Sequence, residues 1–217
     1  MPRIALIHAL AHSLAPINDA LDRDWPQATR MNLLDDSLSA DLANTGALDA
    51  AMTHRFEQLA DYAVSAGADA ILFTCSAFGP CIDAIKLRHA GLPVLKPNEA
   101  MVVEAAALSR ERRGAIGLVA SFAPTLASMP AEFPGDVPLR TALAEHALPA
   151  LERGDTATHD EATAQAAAGL VAQHGCVAIA LAQFSLARAA PRVAATCGVP
   201  VLTTVDSAVR RLRLLLA

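Results

Sequence analysis

Thr74, Cys75 and Ser76 carry hydroxyl and thiol side chains directly after an apolar run, Ala70-Ile71-Leu72-Phe73, that is entered through Gly67-Ala68. The run reads as a short buried strand, and a helix-like segment begins near Pro80. Cys75 is therefore expected where the chain leaves a strand and turns towards a helix. In an open α/β sheet that carboxyl edge is where ligands bind. Unpaired N–H groups at a helix start favour an anion there and are expected to lower the pKa of a thiol. A thiol so placed can exchange a proton with a substrate or act as a nucleophile. The competing reading is a cysteine that packs as a small hydrophobe.

Positioning these residues requires a regular framework, and the chain supplies one. Residues 3–9 and 29–34 read as strands, residues 18–24 as a short helix closed by Trp25-Pro26, and residues 53–66 as an amphipathic helix with Phe56, Leu59, Ala60 and Ala63 on one face. Asp35-Asp36-Ser37 suits a loop or helix cap. After Cys75 come a helix over about 80–89, a short strand around Val94-Leu95 and a helix over 100–108, with Glu99 at its start. The second half follows the same plan. It has a strand over 114–120, a polar turn at Ser121-Phe122, a strand within 137–143, helices over 147–153 and 161–173, a strand over 175–182 and a last helix opened by Asp206.

The two halves are a repeat. Residues 67–71 (Gly-Ala-Asp-Ala-Ile) align with 175–179 (Gly-Cys-Val-Ala-Ile), and 91–95 (Gly-Leu-Pro-Val-Leu) with 198–202 (Gly-Val-Pro-Val-Leu), the two spacings differing by one residue. A repeat of this length implies two similar α/β lobes, expected over residues 1–108 and 109–217 with helix swaps between them allowed. Each lobe should be a short, mostly parallel sheet flanked by helices. The pseudo-symmetry would place the active site in the cleft between them, since domain interfaces are preferred ligand sites. On this alignment Gln183 occupies the position of Cys75.

Composition narrows the function classes. Hydrophobic residues make up 53% of the 217-residue chain and aromatics 4%, with a net charge of -5. That leaves neither a basic footprint nor stacking surfaces for nucleic acid. No apolar run is long enough to span a membrane, and the N-terminus lacks the pattern of a secretion signal. The four cysteines, Cys75, Cys81, Cys176 and Cys197, have neither zinc-ligand spacing nor the density of a disulfide scaffold. A cytoplasmic, reduced protein is expected, with a homodimer as the default assembly. No strand is followed by a dinucleotide fingerprint or a P-loop.

With Phe73-Thr74-Cys75-Ser76 at a strand end and two α/β lobes, the chain resembles the Asp/Glu racemase superfamily, which includes hydantoin racemases, maleate isomerases and arylmalonate decarboxylases. The resemblance implies that Cys75 is the first-lobe catalytic cysteine, with hydroxyl and N–H groups nearby holding a substrate carboxylate. The second-lobe motif of the family normally reads Gly-Cys-Thr. Here it is Ala182-Gln183-Phe184, so the second thiol is absent. An amide has no proton to exchange but can hydrogen-bond a carboxylate or carbonyl.

The resemblance therefore implies a cofactor-independent racemase or isomerase. It would act by cysteine-mediated proton transfer next to a carboxylate or carbonyl of a small amino acid, hydantoin or dicarboxylate. A single-cysteine decarboxylase or other lyase is the chemical alternative, and a non-catalytic binder of small acids the alternative of another class. Cys75 is the expected acid/base or nucleophile. Thr74, Ser76, Ser121, Phe122, Gln183, Phe184 and Ser185 are the expected binding residues for a small anionic substrate, with no metal. His8, His12, Asp36 and His146 are candidates for a second acid or base.

Overall fold

A computed structural model describes residues 1–217. The chain divides into two compact units, one of residues 1–97 and 208–217, the other of residues 98–207. Each contains a four-stranded, wholly parallel sheet.

The elements of the first unit are β1 (Arg3–His8), α1 (Leu14–Asp24), β2 (Thr29–Leu34), α2 (Ser37–Thr45), α3 (Ala50–Ser65), β3 (Ala70–Phe73), α4 (Gly79–Arg88) and β4 (Val94–Leu95), in the strand order β2-β1-β3-β4. The two inner strands are apolar over Ile4–Ile7 and Ala70–Phe73 because both faces are covered there, as parallel sheets require. On one face Ala5, Ile7, Ile71 and Phe73 pack with Leu38 of α2, Met52, Phe56, Ala60 and Ala63 of α3, and Ile82 and Ile85 of α4. Phe56 stacks on Phe73 and tilts against Phe78, with centroids 5.5 and 4.8 Å apart. Asp49 caps α3 by accepting from the Met52 N–H at 2.7 Å.

The second unit holds α5 (Glu99–Arg112), β5 (Ile116–Ala120), α6 (Ala123–Ser128), β6 (Leu139–Leu143), α7 (Ala147–Glu152), α8 (Thr156–His174), β7 (Ala178–Leu181), α9 (Ala190–Cys197), β8 (Val201–Thr203) and the start of α10 (Thr204–Leu215), in the order β6-β5-β7-β8. Met101, Val102, Ala105 and Ala106 of α5 cover Ile116, Leu118, Ala178 and Ala180 on one face. Ala164, Ala167 and Leu170 of α8 and Val193 of α9 cover Val119, Ile179 and Leu181 on the other. Gly117 permits this approach. A Cβ there would lie 2.7 Å from Ile179 Cδ1 and 3.1 Å from Leu170 Cδ1.

The grouping differs from a division at 108/109 in two helices. The apolar face of α5 belongs to the core of the second sheet, so the boundary falls before it, at 97/98. The chain from residue 208 onward groups with the first unit, where the Arg213 guanidinium donates to the Asp24 carbonyl at 2.8 Å. Two short helices add to the expected elements: α2 starts at Ser37, directly after Asp35-Asp36, and α6 starts at Ala123, within the polar turn expected after β5. Pro124, in the first turn of α6, needs no N–H partner there.

The repeat is visible in the strand register. Ile4 and Ile7 pair with Ala70 and Phe73, and Ile116 and Val119 pair with Ala178 and Leu181. Beyond the strands, the Thr74 N–H donates to the Ile7 carbonyl at 3.1 Å and the Ala182 N–H to the Val119 carbonyl at 2.9 Å. Ile71 pairs with Val94 as Ile179 pairs with Val201.

Candidate active site

In each sheet the chain runs outward in one direction from the first inner strand and in the other from the second, so the carboxyl ends of those two strands form the topological switch point where open α/β sheets take ligands. In the first unit these ends are His8 of β1 and Thr74-Cys75 after β3. In the second they are Ala120 of β5 with Ser121 after it, and Ala182-Gln183 after β7. Cys75 and Gln183 are equivalent in detail. Each is extended (φ -125°, ψ 121° and φ -136°, ψ 148°) and each precedes a 3-10 turn, Ser76–Phe78 in one case and Phe184–Ala189 in the other.

Cys75 is half-buried, and with Ile7, His8, Ala9, Leu38, Phe56, Phe73 and Phe78 it lines a small, mostly apolar pocket. Burial pushes its thiol above the ordinary range, opposed by a hydrogen bond from the Ala77 N–H. The expectation of a lowered thiol pKa is thus corrected. One N–H of the turn does reach the sulfur, but desolvation by the aromatic lining outweighs it. Burial therefore favours the thiol over the thiolate.

Thr74 faces inward. Its hydroxyl lies 2.9 Å from Ser13 Oγ, 3.0 Å from His8 Nδ1 and 3.3 Å from the Ile7 carbonyl. Through the Ile7 carbonyl and His8, Thr74 ties the turn to β1. His8, fully buried, is 2.8 Å from Ser13 Oγ through Nδ1 and 3.0 Å from Asn32 Oδ1 through Nε2. Burial lowers its pKa, with Asn32 acting in the opposite direction. The residue pattern gives His8 as one histidine among several at strand ends. Its distinction comes from Ser13 and Asn32, which only folding brings to it. Ser76 is exposed at the first position of the 3-10 turn.

In the second unit the Ser121 N–H donates to Gln183 Oε1 at 2.7 Å and its hydroxyl donates to the same oxygen at 3.1 Å. The N–H can only donate, so the amide orientation is settled and Nε2 is the free end of Gln183. Ser121, expected as an anion binder, therefore spends both donors on Gln183. Phe122 is 49% exposed beside it, whereas Phe184 is buried and Ser185 half-buried. His12 and His146 are exposed at the same carboxyl edges and Asp36 is exposed at the start of α2. All four cysteines are free thiols. Cys176 precedes β7 and Cys197 ends α9, away from the carboxyl edge. No group of three or more His, Cys, Asp or Glu side chains is placed to hold a metal ion, and no helix is long and apolar enough to cross a membrane.

The family model described as Asp/Glu/Hydantoin racemase matches residues 11–212. The chain belongs to the Asp/Glu/hydantoin racemase family. It is a racemase-family enzyme by that match, and its two-sheet fold is that of solved members. Allantoin racemase from Klebsiella pneumoniae superposes with a TM-score of 0.74 at 16% identity, over 100% of this chain and 88% of that one. Glutamate racemase from Bacillus anthracis gives 0.71 at 13% identity, over 99% and 81%. A glycine-to-cysteine mutant of arylmalonate decarboxylase in a sulfate-associated form gives 0.62 at 21% identity, over 95% and 89%. No curated protein matches the sequence.

Proposed function

We propose that this racemase-family chain is a cofactor-independent, isomerase-type enzyme that moves a proton through Cys75. The reaction centre would be the carbon next to a carboxylate or carbonyl of a small amino acid, hydantoin or dicarboxylate. The observation that carries the proposal is the equivalence of Cys75 and Gln183. One switch point offers a titratable thiol, the other an amide whose carbonyl is already held by Ser121. In the second unit Gln183 Nε2 presents two N–H donors suited to a carboxylate or an enolate oxygen and Ser185 a hydroxyl, while in the first unit Ser76 presents a hydroxyl beside Cys75. Such donors, aimed in advance at developing charge, are where cofactor-free enolate chemistry gains most of its stabilisation.

A second reading has its own support. Racemisation needs an acid/base group on each face of the carbon, and Gln183 is neither. A thiol held in its protonated form suits delivery of one proton to one face of an enolate, the last step of a decarboxylation. A single-cysteine decarboxylase is therefore the closest rival to the isomerase reading.

Proton NMR in heavy water separates these readings, with amino acids, hydantoins and substituted malonates offered to the wild type and to Cys75→Ala. Cys75-dependent deuterium uptake with loss of configuration supports a racemase. Uptake with a shifted double bond supports an isomerase, and carbon dioxide release with one enantiomer formed supports the decarboxylase. Saturable binding of these compounds by both proteins, with no exchange in either, overturns the catalytic reading in favour of a binding protein.

A further inference from the structure

The side chains that surround Cys75 in its own unit are hydrocarbon. Ala9, Leu38, Phe56, Phe73 and Phe78 line the pocket with it. Strand alternation puts Ile7, Ala9, Phe73 and Cys75 on one face of the sheet, and α2 lies over that face. Leu38 packs into the core there, and the Ser39 hydroxyl donates to the Ala9 carbonyl at 3.0 Å. His8 also lines the pocket, but its two ring nitrogens are already on Ser13 and Asn32 and burial lowers its pKa. It therefore brings no cation to the site.

The charged groups at this end of the unit have the wrong sign for a further anion. Ser37 and Arg55 directly precede Leu38 and Phe56 in the chain. The Arg55 guanidinium donates to the Ser37 hydroxyl at 2.6 Å and pairs with Asp35 at 2.5 Å and Asp41 at 2.6 Å. With Asp36 exposed at the start of α2, three carboxylates stand against this guanidinium where α2 meets α3. Lys96, just past β4, is spent on Asp83 at 2.8 Å. In the second unit the strand-end residues Ser121, Phe122, Gln183, Phe184 and Ser185 are uncharged, and Arg188 is paired with Asp160 at 2.9 Å.

We infer that the substrate carries an apolar, uncharged substituent on the carbon served by Cys75, and no carboxylate in that substituent. The inference rests on the proposed function, and within it selects amino acids and hydantoins with hydrocarbon side groups over aspartate, glutamate and hydantoins that bear an acid arm. The neutral donors, namely Gln183 Nε2 and the hydroxyls of Ser76 and Ser185, suit one delocalised anion, that of the reacting carboxylate or imide. A second carboxylate brought beside Cys75 would lose its water against hydrocarbon walls, with no cation among the lining residues to replace it. It would also bring further negative charge to the α2–α3 junction. A hydrocarbon group in the same place gains by leaving water.

Two pairs of isosteric compounds test this: 5-isobutylhydantoin with hydantoin-5-acetic acid, and leucine with aspartate. Each compound is offered to the intact chain while alkylation of Cys75 by iodoacetamide is followed by peptide mass spectrometry. Deuterium uptake at the reacting carbon is followed in parallel by proton NMR in heavy water. The isobutyl member of each pair should halve the alkylation rate at about tenfold lower concentration than its acid partner, and Cys75-dependent uptake should follow the same order. Equal protection within a pair, or better protection by its acid, overturns the inference and leaves the proposed function standing. The hydrocarbon preference without any exchange upholds the inference and removes only the catalytic reading. Protection by no member of either pair overturns the inference and the proposed site together.

Discussion

Ser121 holds Gln183 by a single atom, giving both its N–H and its hydroxyl to Oε1 at 2.7 and 3.1 Å. The consequence is polarity. The acceptor end of the amide is taken, so the residue equivalent to Cys75 presents only donors to whatever approaches the strand end.

Replacing Gln183 by Glu keeps the oxygen that Ser121 holds and exchanges the NH2 for a second oxygen. Hydrogen bonds to charged groups are worth about 1.5–3 kcal/mol. Gln183→Glu should therefore weaken binding of a carboxylate ligand by roughly ten- to a hundredfold, measured by calorimetry with the best ligand from the heavy-water screen. Unchanged affinity would mean that Nε2 does not touch the anion.

Phe56 packs against Phe73 and Phe78 and lines the Cys75 pocket. Phe56→Ala should cost about 3–5 kcal/mol of stability by denaturant unfolding. It should also let water towards the sulfur, which lowers the thiol pKa and speeds alkylation at neutral pH. Slower alkylation in a folded variant would show that burial is not what raises this thiol.

His8 makes a separate mark on stability. Its pKa is depressed below the ordinary 6.5 by burial, so the folded state binds its proton later than the unfolded chain does. The contribution is fully present above about pH 6.5 and is lost as pH falls through the folded value. Asp35 and Asp160, whose carboxyls are also lowered, lose theirs only below the ordinary carboxylate value of 3.8. Chemical denaturation across pH 4 to 7.5 should show a decline that begins near pH 6.5 and is reduced in His8→Gln. A flat wild-type curve over that range would contradict the assignment.

Gly117 lies under α8, where a side chain meets Ile179 and Leu170. Gly117→Val has good strand propensity, yet it should destabilise the chain by about 1–3 kcal/mol through overpacking. Thermal unfolding measures this directly, and an unchanged or raised Tm would show that α8 can withdraw at no cost.

The sequence alone determined the parts of the protein that depend on local pattern. Apolar runs bounded by Gly and Pro specify both central strands, because a strand buried on both faces must be apolar throughout. The recurring Gly-x-Pro-Val-Leu and Gly-x-x-Ala-Ile segments specify the repeat, and with it the matching of Cys75 to Gln183, each of which follows the second inner strand of its sheet. Strand-end chemistry was legible for the same reason.

What only the tertiary structure decided are matters of partnership. Ser121 and Gln183 lie 62 residues apart, and no local signal tells that the serine's donors are spent on that amide. Thr74 could equally have faced a ligand; it faces His8 and Ser13 because β1 and β3 are neighbours. The thiol pKa follows the aromatic lining contributed by β3, α3 and the turn before α4, and this outweighs the N–H that the strand-to-helix turn supplies. The placement of α5 is likewise fixed by which sheet its apolar face can bury. Short-range pattern carries hydrophobic period and turn chemistry, whereas hydrogen-bond partners and desolvation are properties of groups that meet only after folding.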